Sequence, residues 1–422
     1  MSRRRVVVAT CFALTLAVPA TSSASGFAIR EQSGSFQGLS FAGVAAGGPD
    51  ISTMYFNPAT LTLHDGVQGH SSVSFIFPRA ELKNANASDP LGRPVVGPDG
   101  GNITESAIVP AAYGAIAFGN FRFGLGVTAP FGLSTDAPND WIGRYQATRS
   151  ELTTVNVNPV IAWQAHERVS VAAGFVAQYA HATLENAVFT RASAVVGAAG
   201  DAQAKVKGSD WDYGFTLGAL AEPIDGTRIG VGYRSQINHS VTGDFELTAP
   251  NGALARSTGG RAAVSTPQIL SLGASQQLSD QWSLKGTVEW TGWSSFDELV
   301  VTFDDGSPSS VTQEQWRDTW FFAAGAEYLP RPDVRLQAGV AYDQTPIREG
   351  FRTPRIPDAD RTWVSVGALW QPNGWLDVGA GYSHIFVDDG PVNLQEPGGR
   401  GSIDGTFESR IDIVTLHGTI RF

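Results

Sequence analysis

The chain of 422 residues holds a single cysteine, Cys11, and only two methionines. One thiol excludes a disulfide framework and any Cys-based metal site. Charge is scarce too: charged residues make up 16 %, against roughly 25 % in an ordinary soluble domain. An excess of basic residues is missing. Lys+Arg number 29 and Asp+Glu 40, a net charge of −11, which excludes a nucleic-acid partner because binding phosphate needs a basic face. Long apolar runs are missing except at the extreme N-terminus, and the mean hydropathy is −0.07. A helical membrane protein, which needs several runs of about 20 apolar residues, is thereby excluded. The motifs of catalysis are absent: no G-x-S-x-G, no H-E-x-x-H, no phosphate-cradling loop and no EF-hand pattern. The seven histidines, His64, His70, His166, His181, His239, His384 and His417, show no metal-ligand spacing and no triad arrangement. No enzyme activity, cofactor or metal is expected. What is abundant is glycine, at 48 residues, and aromatic side chains, at 10 % with 11 Trp. That composition suits a β-barrel.

Residues 1–24 read as a secretory signal peptide. Arg3, Arg4 and Arg5 form a basic start, Val6 to Val18 an apolar stretch too short for a comfortable span, and Ser22-Ser23-Ala24 a small-residue cleavage site. Cleavage is expected after Ala24. The mature chain would then carry no thiol, which suits an oxidising compartment.

Beyond the leader the dominant signal is alternation at period 2. Val334, Leu336, Ala338, Val340 and Tyr342 share one face; Arg335, Gln337, Gly339 and Asp343 share the other. Trp282, Leu284, Val288 and Trp290 alternate with Ser283, Lys285, Thr287 and Glu289 in the same way. The last segment runs Val414, Leu416, Gly418, Ile420, Phe422, with Thr415, His417, Thr419 and Arg421 opposite. Counting such segments gives about fourteen strands, beginning near residues 66, 104, 120, 150, 168, 209, 226, 262, 280, 318, 332, 361, 374 and 408. An even number is what an antiparallel outer-membrane barrel requires. A soluble sandwich would also alternate. The polar face, however, is rich in Gly, Ser, Thr, Asn and Gln, as a wet lumen would be, and Trp163, Trp282, Trp290, Trp320 and Trp370 recur near strand ends, as in an interfacial girdle. The expected fold is an all-β transmembrane antiparallel barrel over residues 66–422, closed because lipid cannot satisfy a sheet edge. Short turns near 164–167, 222–226 and 371–374 fall on one side. Longer loops near 84–103, 132–149, 187–208, 247–261, 302–317, 344–360 and 388–407 fall on the other.

Residues 25–65 do not read as strands. Phe27, Ile29, Phe36, Leu39, Phe41, Met54, Tyr55 and Phe56 are too many apolar side chains for a solvated tail. A small hatch folded inside the lumen is expected there.

The mature chain resembles the outer-membrane long-chain fatty-acid transporters of the FadL type, a family that includes aromatic-hydrocarbon-uptake relatives. The resemblance rests on Ser25-Gly26-Phe27, Glu31, Gly43-Val44-Ala45, Asp50-Ile51-Ser52 and Asn57-Pro58-Ala59. It continues through Gly143-Arg144-Tyr145, Ser150-Glu151-Leu152, Asn158-Pro159 and the run 354–363, PRIPDADRTW. It implies a monomeric 14-stranded barrel with an N-terminal hatch. Hydrophobic molecules would be caught by apolar outer loops, pass to an inner pocket and leave sideways through a kink in the third strand. Pro130, Phe131 and Gly132 stand where that kink is expected, and proline there removes a ladder donor. Asn57, Pro58 and Ala59 form the hatch motif, and the segment at Phe27 and Ile29 would be the moving part that meets the ligand. Trp141, Ile142, Tyr145, Val195 and Val196 would line the outer groove. Arg144, Arg191, Arg352 and Arg355 are candidate partners for a carboxylate. The expected partners are fatty acids or aromatic hydrocarbons, outer-membrane lipid and lipopolysaccharide, and the barrel-assembly machinery through the terminal aromatic Phe422. One departure bears on cargo. Fatty-acid members carry a basic residue late in the fifth strand, whereas Tyr179 to Asn186 here ends Leu184-Glu185-Asn186 with His181 as its only base. Neutral aromatic hydrocarbons are therefore the alternative cargo; a barrel lipase or a structural barrel are more distant ones.

Overall fold

A computed structural model describes residues 25–396 and 399–422. The export signal and its cleavage after Ala24 lie outside the described residues.

Every second side chain of the strands is apolar, and it is the apolar face that looks outward. In Val334–Asp343, Leu336, Val340 and Tyr342 are exposed while Gln337 and Asp343 are buried. A soluble sandwich would show the reverse, so this inversion identifies lipid as the outer solvent. Fourteen strands follow: β1 (Val67–Ser88), β2 (Ala107–Phe118), β3 (Phe121–Thr128 and Gly132–Asp136), β4 (Arg149–His166), β5 (Val169–Val188), β6 (Ala202–Ile224) and β7 (Thr227–Arg234 and Ile237–Thr248). The second half comprises β8 (Leu254–Thr266 and Ile269–Gln277), β9 (Trp282–Thr291 and Glu298–Phe303), β10 (Ser310–Gln313 and Thr319–Arg331), β11 (Val334–Asp343), β12 (Arg361–Asn373), β13 (Leu376–Val387 and Gly390–Glu396) and β14 (Gly401–Arg421). Each pairs antiparallel with its neighbours, and β1 closes on β14 from Gln68 opposite Arg421 to Ser88 opposite Ser402. Closure removes the free edges that an open sheet would present to lipid.

All fourteen expected strands are present, but several reach farther outward than the alternation suggests. β6 begins at Ala202 rather than near 209, β8 at Leu254 rather than near 262, and β14 at Gly401 rather than near 408. In the β6 extension the polarity of the two faces is reversed, with Ala204 and Val206 turned to an interior cavity and Lys205 and Lys207 exposed, so the apolar-outward pattern of the lipid face does not reach there.

The N-terminal segment lies inside the barrel. Four short 3-10 turns, Gly34–Leu39, Val44–Ala46, Ile51–Tyr55 and Pro58–Leu63, are almost wholly buried. Glycines on the inner wall let its backbone come close: a Cβ on Gly232 would stand 1.8 Å from the Phe56 carbonyl oxygen, and one on Gly339 would stand 2.1 Å from the Leu39 carbonyl carbon. Asn57 fixes the last turn. Its Oδ1 accepts from Ala59 N at 3.0 Å, with Pro58 at the first helical position, and its Nδ2 donates to Ala45 O at 2.7 Å and to Ala219 O of β6 at 2.9 Å.

Candidate functional site

Two features carry the site: a break in the wall and a cavity beneath the outer loops. β3 pairs with β2 from Phe121 opposite Phe118 to Val127 opposite Ala112, and there the ladder stops. β2 continues to Ala107, paired only with β1 on its other edge. β3 resumes at Gly132 against β4, but toward β2 it meets only the loop before that strand, where Asp136 N donates to Ile103 O at 2.8 Å. Against β4, Thr128 faces Asn156 and Gly132 faces Thr153, so one extra residue is accommodated at the break. Pro130 has no N–H to offer.

Backbone groups at the break are taken up by the N-terminal segment, apart from Phe131 N, which donates to Thr154 Oγ1 of β4 at 3.0 Å. Ile29 N donates to Pro130 O at 2.7 Å, Gly132 N donates to Phe27 O at 2.8 Å, and Ala28 bridges Phe131. Gln32 holds Ala129 from both sides: its Oε1 accepts from Ala129 N and its Nε2 donates to Ala129 O. Phe27 sits in an aromatic cage of Phe131, Trp293, Phe296 and Trp316, with ring centroids 4.7 to 6.0 Å away. The run at 354–363 pins the same segment. Asp358 accepts from Gly26 N at 2.8 Å, from Thr345 Oγ1 at 2.7 Å and from Arg361. A small pocket of about 40 Å³ lies beside the break, lined by Ala28, Ile29, Tyr55, Phe56 and Pro130.

A larger cavity of about 510 Å³ lies under the outer loops. Leu184, Val206, Phe245, Val301 and Phe303 give it an apolar wall. Tyr145, Asn186, Arg256, Arg355 and Arg400 supply its polar groups. Arg256 is paired with Asp305. Arg355 is different. Its guanidinium donates to Ser150 Oγ at 3.1 Å, to Asn186 Oδ1 at 3.3 Å and to the carbonyls of Arg149 and Glu185, and among the described residues no carboxylate pairs with it. Burial, with Arg400 adding in the same direction, lowers its pKa to about 9. It is therefore still a cation at neutral pH. Burial raises the carboxyl of the neighbouring Glu314 to about 7, so that group only partly offsets the charge.

Of the expected groove residues, Tyr145 and Arg355 line this cavity, and Phe27 and Ile29 lie at the break. The others do not. Trp141 is buried in a separate cluster with Ile103, Leu394 and Phe407, and Ile142 packs beside it. Arg144 pairs with Asp201 at 2.8 Å, both buried, and has no free charge for a ligand. Arg352 donates to the carbonyls of Asp358 and Pro391, where it braces loops. Val195 and Val196 are exposed on a short helix, Ser193–Val196, away from the cavity lining, and Arg191 is exposed beside it. The residues that sequence reasoning missed, Leu184, Val206, Phe245, Val301 and Phe303, come from β5, β6, β7 and β9. Only their shared inward face above the lipid could have linked them.

A closed fourteen-stranded barrel with a lipid-facing apolar exterior, an occupied lumen and a broken third strand defines an outer-membrane transport barrel. The chain belongs to the family described as outer membrane protein transport protein (OMPP1/FadL/TodX), which it matches over residues 15–422. It is 31 % identical to an outer membrane protein of Neisseria meningitidis, over 94 % of this chain and 95 % of that one. It is 26 % identical to the long-chain fatty acid transport protein of Escherichia coli O6:H1, over 91 % and 92 %. The crystal structure of a Pseudomonas aeruginosa FadL homologue superposes with a TM-score of 0.88 at 26 % identity, covering 94 % of this chain and all of that one. The Ralstonia pickettii toluene transporter TbuX shares the fold at a TM-score of 0.69 and 18 % identity, over 94 % and 99 %. The protein is thus an outer-membrane transporter of hydrophobic molecules, not an enzyme.

Proposed function

We propose that the protein takes up long-chain fatty acids, binding the carboxylate at Arg355 and the chain along the apolar wall of the outer cavity. The observation that carries this reading is a buried cation without a carboxylate partner, among the described residues, at the edge of an apolar cavity. A buried charge is costly until it is paired, and a charge-assisted bond to a carboxylate pairs it. The fifth strand ends without a base, but Arg355 reaches Asn186 from the loop between β11 and β12 and sets a cation beside the end of that strand. Each methylene kept from water contributes about 0.8 kcal/mol, so an apolar path from cavity to membrane suits an alkyl chain better than a water-filled pore. From the cavity the ligand moves to the pocket beside Ile29. It leaves where the β2–β3 ladder stops, once Phe27 has withdrawn from its cage. Withdrawal requires that the ligand favour the open arrangement over the closed one.

The test is uptake by cells that lack their own transporter and express this chain, given labelled oleate and labelled toluene in parallel. Arg355→Gln is expected to lower oleate uptake about tenfold, in keeping with roughly 1.5–3 kcal/mol for a hydrogen bond to a charged group, and to leave toluene uptake unchanged. Toluene uptake without oleate uptake in the unaltered protein would move the cargo to aromatic hydrocarbons.

A further inference from the structure

The seam where the barrel closes holds a cluster that transport does not use. Asp50, in the N-terminal segment inside the barrel, meets His70 of β1 and His417 of β14, and all three are buried. Their ligand atoms all lie within 4.8 Å of one another, and His70 Nδ1 is 3.4 Å from Asp50 Oδ1. The two imidazoles stack with centroids 5.7 Å apart. His70 Nδ1 shares a bond of 2.9 Å with Thr419 Oγ1, but among the described residues His70 Nε2 and both ring nitrogens of His417 have no hydrogen-bond partner. Three buried ring nitrogens without partners, on two imidazoles beside a carboxylate, is an expensive arrangement if it has no further purpose.

We propose that Asp50, His70 and His417 form a binding site for a divalent transition-metal ion of the zinc type. Two neutral imidazoles and one carboxylate are a donor set that suits Zn²⁺, Cu²⁺ or Ni²⁺ and disfavours the oxygen-seeking Ca²⁺ and Mg²⁺. Metal–ligand distances of about 2.0–2.2 Å would bring the donors together by small side-chain rotations. Ser52 already orients the carboxylate: its N and Oγ both donate to Asp50 Oδ1, at 2.9 and 2.5 Å. Such second bonds fix a ligand's direction. The three residues are far apart in sequence, so no spacing motif reveals them, and the expectation of no metal rests on spacing alone. A bound ion ties the interior segment to both strands of the closing seam at once.

The experiment uses the full-length protein purified in detergent and stripped with a chelator. Bound Zn²⁺ per chain is then measured by equilibrium dialysis and mass spectrometry. One ion per chain is expected in the unaltered protein, with affinity falling at least tenfold in His417→Gln and in Asp50→Asn. His166→Gln, at the exposed end of β4, is the control and is expected to bind as the parent does. Equal binding by all variants would mark an adventitious surface ion only and overturn the proposal, as would no binding at all. Because a variant at the seam can fail to assemble, crystals of the unaltered protein soaked in Zn²⁺ supply a second measurement. An anomalous peak between His70, His417 and Asp50 is expected, and a peak only elsewhere overturns the site.

Discussion

At the scale of single residues, burial separates side chains that resemble one another in sequence. Arg144, Arg352 and Arg355 all sit in outer connections beside aromatic or glycine-rich text. Yet Arg144 is neutralised by Asp201 and Arg352 braces carbonyls, whereas Arg355 faces the cavity with no acidic partner among the described residues. Glu31 is the converse case inside the barrel. Its Oε1 has no hydrogen-bond partner among the described residues, and burial raises its pKa to about 7 against the pull of Arg30 and Arg361. The folded protein holds this proton more tightly than the unfolded chain, whose carboxyl titrates near 4.5. Stability is therefore lost as pH rises from about 4.5 to about 7 and stays lower above it. Glu31→Gln is expected to raise the unfolding midpoint at pH 8 and to change it little at pH 4.5. The upper bound at pH 8 is about 3 kcal/mol, each pKa unit being worth about 1.4 kcal/mol. Denaturant titrations in detergent at the two pH values check this. A gain of equal size at both would mean that the substituted amide acts by packing and not by removing a charge.

At the scale of elements, the third strand and the N-terminal segment are joined at the break. The ladder that β2 does not supply is supplied by Phe27, Ile29 and Gln32. Ala28 and Phe131 are bridge partners between the two bonds Ile29 N to Pro130 O and Gly132 N to Phe27 O. That is the closely spaced, non-hydrogen-bonded kind of antiparallel pair, the separation a disulfide spans. The double variant Ala28→Cys, Phe131→Cys is expected to cross-link on oxidation and to lose oleate uptake, with recovery on reduction. Uptake that continues with the cross-link formed would exclude movement of this segment as the exit step. Pro130 points to the break, because proline has no N–H to give a ladder, but it does not decide it, since pairing runs on past Pro78 in β1 and Pro110 in β2. The strands are legible because lipid on one side and a wet lumen on the other force a strict period on residues such as Leu336 and Gln337. The cavity is not. Its wall is drawn from Leu184, Val206, Phe245 and Val301, on strand ends where the apolar side turns inward, so the apolar-outward pattern does not mark them. The seam cluster is hidden for a different reason: barrel closure alone brings His70 to His417.

At the scale of the whole molecule, the barrel and its contents are fitted by different rules. Strand pairing and the lipid face build the wall, and inward glycines make room for what fills it. Dislodging the lumen's contents is therefore expected to leave the barrel intact. Gly232→Val sets a Cβ where Phe56 O already lies, 1.8 Å away, so the backbone of the interior segment must move. Gly114→Val adds a side chain on the exposed face of β2 with nothing within 4 Å, and it is the matched control. Both keep the backbone ladder, since valine suits a strand better than glycine does. In planar bilayers the parent and Gly114→Val are expected to stay nearly closed to ions, while Gly232→Val passes a current several times larger. A fourteen-stranded wall is wide enough for an aqueous path once its interior is displaced, whereas eight strands are filled by side chains alone. Equal currents from all three proteins, with Gly232→Val assembled in the membrane, would mean that the interior segment shifts without ever being the plug. The hydrophobic cargo would then have to be kept from water by the outer cavity and the break alone.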